Sequence, residues 1–200
     1  MPLYLGAVLL LSLFLLILVF RSILVPLIAS AGFLLTVVAT LGSAVAVFQW
    51  GWLGQLFDIH DPGPIMSFVP TLIIGVVFGL AMDYQLFLGS GMREAFVHGK
   101  SAKDAVNFGI HLSRPVVIAA AIIMVTVFGG FAFSELTTVR PIGFGLAVGV
   151  LFDAFLVRLV LIPALMTLLG NAAWWMPKWL DRILPDVDVE GAALERKDLH

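Results

Sequence analysis

Residues 66–89 read Met-Ser-Phe-Val-Pro-Thr-Leu-Ile-Ile-Gly-Val-Val-Phe-Gly-Leu-Ala-Met-Asp-Tyr-Gln-Leu-Phe-Leu-Gly. A bilayer is crossed by about 20 apolar residues in a helix. This stretch has that length, and Asp83 is its single carboxylic acid. In hydrocarbon the backbone has no water to bond, so the segment must be a helix. Asp83 then lies about five residues past the middle of the span, roughly 8 Å at 1.5 Å per residue. A carboxylate at such depth costs at least about 2.5 kcal/mol on insertion scales. It should face other helices or a wet cavity. Low-dielectric surroundings favour the neutral form of a carboxyl, which suits a group that loads and unloads a proton. Tyr84 adds a hydroxyl able to donate to a carboxylate or extend a hydrogen-bonded chain. Adjacent helical residues point about 100° apart, so the two side chains address different neighbours. Phe87, four residues on, shares the face of Asp83 and could seal it from water. The plain alternative is an acid that only locks helix packing.

Four further spans are read outward from this one. They cover about Pro2 to Phe20, Leu24 to Phe48, Pro115 to Ser134 and Val139 to Val157. The composition agrees. The chain is 61% hydrophobic and 12% charged, with a mean hydropathy of +1.09. A soluble domain is about half apolar and a quarter charged, so no soluble core absorbs this sequence. Leu3 to Phe20 lacks the basic start and small-residue cleavage site of a signal peptide. With no cysteine there is neither a disulfide framework nor a thiolate metal site. Nothing calls for a cofactor, a metal or a nucleic-acid partner, and no enzymatic chemistry is expected.

Lys and Arg set the orientation. Arg21, Arg93, Lys100, Lys103, Arg114, Arg158, Lys178, Arg182, Arg196 and Lys197 fall on one side, and Arg140 on the other. The basic side is cytoplasmic by the positive-inside rule. The N-terminus is then extracytoplasmic and the C-terminus cytoplasmic. Such a start suggests a piece whose natural neighbour lies upstream.

The connections carry signals of their own. Residues 49–65 form an extracytoplasmic loop in which Trp50 and Trp52 read as interface aromatics. Asp58, His60 and Asp61 offer three metal-type ligands there, but no fourth, and read as a solvated turn. In the cytoplasmic loop, Ser101 and Asp104 have capping-box spacing. Ala102, Ala105, Val106 and Ile110 follow at helical spacing, which predicts a short amphipathic helix on the inner surface. The spans occupy a domain over residues 1–170. Trp174, Trp175 and Trp179, with Lys178 and Arg182, predict an interfacial helix over 171–184. Pro177 suits its first turn. The acidic tail 185–200 reads as disordered. The expected fold is thus an all-α polytopic membrane protein with five transmembrane helices, a cytoplasmic amphipathic helix and an interfacial C-terminal helix.

A second acid, Asp153, lies near Arg158 in the last span. The i, i+5 spacing is poor for a bridge within an α-helix. Each is expected to pair with another helix, or Arg158 to snorkel to the interface. A structural and topological role is the favoured reading. An intramembrane aspartyl protease built on Asp83 and Asp153 would need the two carboxyls close together. Their different depths argue against it. Gly75 with Gly79, and Gly145 with Gly149, are GxxxG pairs that permit close helix approach. Thr36, Thr40 and Ser43 recur at helical spacing and could line a polar core.

The run Gly79-Leu-Ala-Met-Asp83-Tyr84-x-x-Phe87-Leu, then Met92-Arg93-Glu94, then Arg114-Pro115, resembles the MMPL family (mycobacterial membrane protein large) of the RND transporter superfamily. So do Ile142-Gly-x-Gly-Leu-Ala, Asp153-Ala-x-x-Val-Arg158-x-x-Leu-Ile-Pro163-Ala and Trp174-Trp175-x-Pro177-x-Trp179-Leu. The resemblance implies a proton-driven exporter of lipids, glycolipids or small hydrophobic compounds in a bacterial plasma membrane. It implies two pseudo-symmetric membrane halves, each with a porter domain, and a central relay of one Asp-Tyr pair from each half. This chain matches the last five spans of the second half. Asp83 and Tyr84 match its relay pair, and Phe87 a hydrophobic residue beside it. The implied partners are membrane lipids, protons, and the first half and porter domains, in the same chain or another. Five-helix units of the same superfamily also serve as sterol-sensing domains, so a lipid-binding module without transport is the alternative.

Overall fold

The computed structural model describes residues 2–57, 59, 62–177 and 180. Five helices among them are long and apolar enough to cross a membrane. They are α1 (Pro2–Phe20), α2 (Leu24–Phe48), α3 (Phe68–Val97), α4 (Ala102–Ala132) and a compound last span. That last span comprises α5 (Val139–Leu151), a π-helical segment (Phe152–Leu161) and α6 (Ile162–Leu169), and ends in a 3₁₀ turn at Gly170–Trp174. The described residues contain no strand. The chain is an all-α polytopic membrane protein, as its apolar runs require.

Helices α3 and α4 are longer than the predicted spans. At 30 and 31 residues they reach roughly 45 Å, well beyond a hydrocarbon core of about 30 Å. Two local signals set their junction. Gly99, at φ +88°, closes α3 with the bond pair of a Schellman motif. Gly99 N–H donates to the Phe96 carbonyl (3.1 Å), and Lys100 N–H to that of Ala95 (3.1 Å). Ser101 then caps α4, its hydroxyl oxygen accepting from Asp104 N–H (3.2 Å). The Asp104 carboxylate accepts from that same hydroxyl (2.6 Å) rather than reaching back to the backbone.

The separate amphipathic helix is a correction. Residues 102–114 and the fourth span form one helix that continues through Pro115. Its apolar face does not lie on lipid. Ala105 and Val106 are fully buried, and the face packs on the end of α3, where Gly109 meets the Met92 backbone. A Cβ on Gly109 would sit 3.0 Å from Met92 N, so the glycine permits this crossing.

The end of the bundle that holds the α3–α4 junction is closed by the C-terminal turn. Trp174 is buried, against the interfacial placement predicted for it. Its ring stacks on Phe96 (5.1 Å, 15°). Ser22, between α1 and α2, donates to the Ala173 carbonyl (2.6 Å). Trp175 is exposed, while Lys178, Trp179 and the predicted acidic tail lie outside the described residues. At the other end Phe48, Phe57, Phe133 and Phe144 form one aromatic cluster. Arg140 donates from Nη1 to the Phe57 carbonyl (3.0 Å), and Trp50 and Trp52 remain exposed. Asp58, His60 and Asp61 lie outside the described residues.

Candidate functional site on α3 and the last span

Helix α3 has two contrasting faces. Ile73, Ile74, Val77, Ala81 and Leu88 enter the core. Asp83 is exposed on the opposite side, on a line with Gly75, Gly79 and Phe87 at four-residue steps. A Cβ added to Gly79 would meet nothing within 4 Å, and one on Gly75 would meet only the Tyr4 hydroxyl. This is a shallow groove of small residues ending in a carboxyl, on the outside of the five-helix bundle. Phe87 is 45% exposed and shares that groove, as the spacing predicts.

Tyr84 is turned the other way. Its hydroxyl donates to Met124 Sδ on α4 (3.5 Å). The Arg158 guanidinium lies 5.3 Å from its ring centroid, within cation–π range. The pair therefore bridges an outer face and an inner charge cluster. The 100° step between neighbours in a helix makes this possible.

The inner cluster overturns one expectation. Asp153 and Arg158 pair with each other, Nε to Oδ2 at 2.5 Å. The physical reason is the π-helical segment. There N–H groups bond five residues back, as Ile162 does to Val157, so residues five apart stack along one face. An α-helix would set them apart. Both residues are buried, at 6% and 2% exposure, so Arg158 neither snorkels nor belongs in the count of cytoplasmic charges. Arg158 Nη2 also donates to the Ala81 carbonyl on α3. The guanidinium thus ties the last span to α3 two residues before Asp83. Asp83 and Asp153 face opposite ways, and Asp153 is held by a cation, which does not fit a proton-sharing dyad.

Two partners in the site carry no signal in the sequence, and the burial of Gln85 beside the pair is a property of the fold. Gln85 is buried at 3% exposure, beside the exposed Asp83. The Ala81 carbonyl and Met124 are partners that no composition signal marks. Thr36 and Thr40, read as candidates for a polar core, are both fully buried on α2. Ser43 bonds its own helix, donating to the Thr40 carbonyl (2.8 Å).

Comparison with known proteins gives the chain its family. The sequence profile of the MMPL family matches residues 3–184. Membrane protein YdfJ of Bacillus subtilis is 54% identical over 183 residues, which is 92% of this chain and 25% of YdfJ. The mycolic acid-containing lipids exporter MmpL11 of Mycolicibacterium smegmatis is 46% identical over 156 residues, 78% of this chain and 16% of that protein. The trehalose monomycolate exporter MmpL3 of Mycobacterium tuberculosis is 37% identical over 183 residues, 92% of this chain and 19% of that protein. The chain spans a quarter or less of the length of these relatives. With a family match over nearly its whole length, the chain belongs to the MMPL family.

Proposed function

We propose that this chain supplies the last five spans of the second membrane half of a proton-driven exporter of lipids or small hydrophobic compounds. Residues 1–170 form the membrane unit. It sits in the bacterial plasma membrane with its N-terminus extracytoplasmic and its C-terminus cytoplasmic. The reaction is transport, with no enzymatic step.

One observation carries this reading, the exposed Asp83 at the end of the Gly75–Gly79 groove. An acid at membrane depth costs about 2.5–3.5 kcal/mol against lipid. A groove of small residues invites a second helix to pack closely. A facing membrane half with its own polar pair removes the cost and completes the site. Asp83 then acts as the proton acceptor. Tyr84 links it to the buried Asp153–Arg158 pair, and Phe87 screens it along the groove. Asp153 and Arg158 hold the last span against α3. The names of two relatives, the MmpL11 of Mycolicibacterium smegmatis and the MmpL3 of Mycobacterium tuberculosis, speak for export rather than for lipid sensing. Porter domains and the facing half come from the remainder of the transporter, in this polypeptide or in another.

The test is Asp83→Asn in the full-length transporter. Proton-coupled export is expected to be abolished, with membrane insertion and yield unchanged. Undiminished export by that variant refutes the relay role.

A further inference from the structure

The end of the bundle opposite the α3–α4 junction holds a chamber of about 390 Å³. Ligand sites commonly measure about 300–1,000 Å³. The chamber shares no lining residue with the Asp83 groove. Phe48 at the end of α2, Val69 at the start of α3 and Pro141 at the start of α5 give it apolar walls. The segment 63–66 closes one side. It is tied to α2 where Gly63 N–H donates to the Phe48 carbonyl (3.2 Å). Thr137, Thr138 and Arg140 form a polar wall.

Thr138 stands at the N-cap position of α5, where a threonine oxygen ordinarily accepts from the first N–H groups of the helix. Here the side chain makes no cap bond. Its hydroxyl instead reaches Met66 Sδ, another wall of the chamber, at 3.9 Å. A thioether is a weak acceptor, so this hydroxyl stays available to a ligand. Thr137 beside it is exposed. Arg140 is fixed in place, Nε donating to the Ser134 carbonyl (2.5 Å) and Nη1 to that of Phe57 (3.0 Å). A wall of two hydroxyls and a donor-only guanidinium suits a ligand rich in acceptor oxygens. The lip says what carries those oxygens. Met66, Phe68 and Leu136 are exposed, and so are Trp50 and Trp52 at the same end. An exposed apolar cluster rimmed by polar groups marks a binding surface. Tryptophans at the ends of membrane helices suit the headgroup zone. A small polar solute would leave this lip bare, whereas an amphiphile covers it.

We propose that this chamber binds one membrane lipid. Ester or hydroxyl oxygens of its head accept from the Thr137–Thr138 wall, and the first part of its acyl chain lies against Phe48, Met66 and Val69. The site takes from the transport reading only the membrane placement of the helix ends. Asp83 has no part in it.

The probe is a monoacylglycerol with a diazirine in its acyl chain, added to this chain in phosphatidylcholine nanodiscs. After irradiation, mass spectrometry locates the labelled peptides. Labelling is expected to concentrate in residues 63–69 and 137–141 and to be displaced by unlabelled monoacylglycerol. Thr137→Val combined with Thr138→Val keeps the shape and removes both hydroxyls, with no cap bond lost. Labelling at the chamber should then fall about tenfold, the contribution of one or two hydrogen bonds. Met66→Trp fills the chamber and should abolish it. Labelling spread evenly over the lipid-facing spans means bulk lipid contact only and overturns the proposal. Equal labelling of the chamber by a diazirine alkane, or displacement by free glycerol, overturns it too, since the first shows no recognition of the head and the second a polyol site. Should the double variant fail to fold, the comparison of the two probes on the parent chain decides alone. None of these readouts measures transport, so their failure is distinct from that of Asp83→Asn.

Discussion

Asp153 and Arg158 are the two buried members of one ion pair, and removing either leaves the other without its counter-charge. Breaking a buried pair from one side costs about 3–5 kcal/mol. At about 1.4 kcal/mol per factor of ten, the folded-to-unfolded ratio falls by about 100- to 4,000-fold. Asp153→Leu and Arg158→Met should each show this loss. The double variant should not show the sum. Replacing a buried pair by apolar residues of similar volume is often neutral, or stabilising by 1–4 kcal/mol. The loss of the Arg158 bond to Ala81 opposes that gain. The Ala81 carbonyl remains within α3, so the opposing term is expected to stay near 1 kcal/mol. The double variant is therefore expected within about 2 kcal/mol of the parent, with a coupling energy of several kcal/mol. The assay is reversible unfolding of the purified chain in bicelles, for all four members of the cycle. In the full-length transporter, the double variant should fold and insert yet export poorly, because Tyr84 loses its cationic neighbour. Single variants within about 1 kcal/mol of the parent, or a double variant equal to the sum of the singles, would refute the reasoning.

Two other predictions separate packing inside the bundle from packing outside it. Gly89→Ala places a methyl 2.3 Å from the Phe20 ring, and Phe20 is fully buried. Unfolding of the purified chain should reveal a loss of about 1–3 kcal/mol from overpacking. Gly79→Leu meets open space, so the chain's own unfolding should be unchanged. In the full-length transporter the same substitution blocks the groove beside Asp83, and export should fall sharply. Normal export by Gly79→Leu would mean that no helix packs there.

Much of the helix punctuation was legible, because it depends on neighbours in sequence. Ser101 caps α4 as its spacing with Asp104 predicts. Gly99 could have been read as a stop for α3, since a left-handed residue followed by a cap is a local signal. The amphipathic pattern at Ala102, Ala105 and Val106 was also real. Its destination is set by tertiary packing, because an apolar face facing lipid and one facing another helix have the same periodicity. The same holds for Trp174. Tryptophan beside basic residues suits the headgroup zone, and only the stacking partner Phe96 draws this ring inward.

The sequence alone determined that the chain lives in a membrane, crosses it as five helices and carries an acid in the third. These follow from composition and from the backbone's need to bond itself where water is absent. It also determined that Asp83 and Tyr84 point different ways, since the helical step is a local property. Only the tertiary structure decided what each points at. Asp83 lies on the outer groove, and Tyr84 lies against the Asp153–Arg158 pair. That pair itself depends on a change from α to π winding, which spacing statistics for an α-helix exclude. Burial of two opposite charges is a property of the packed bundle, set by α2, α3 and the last span together. No one of those segments carries that information in its own sequence.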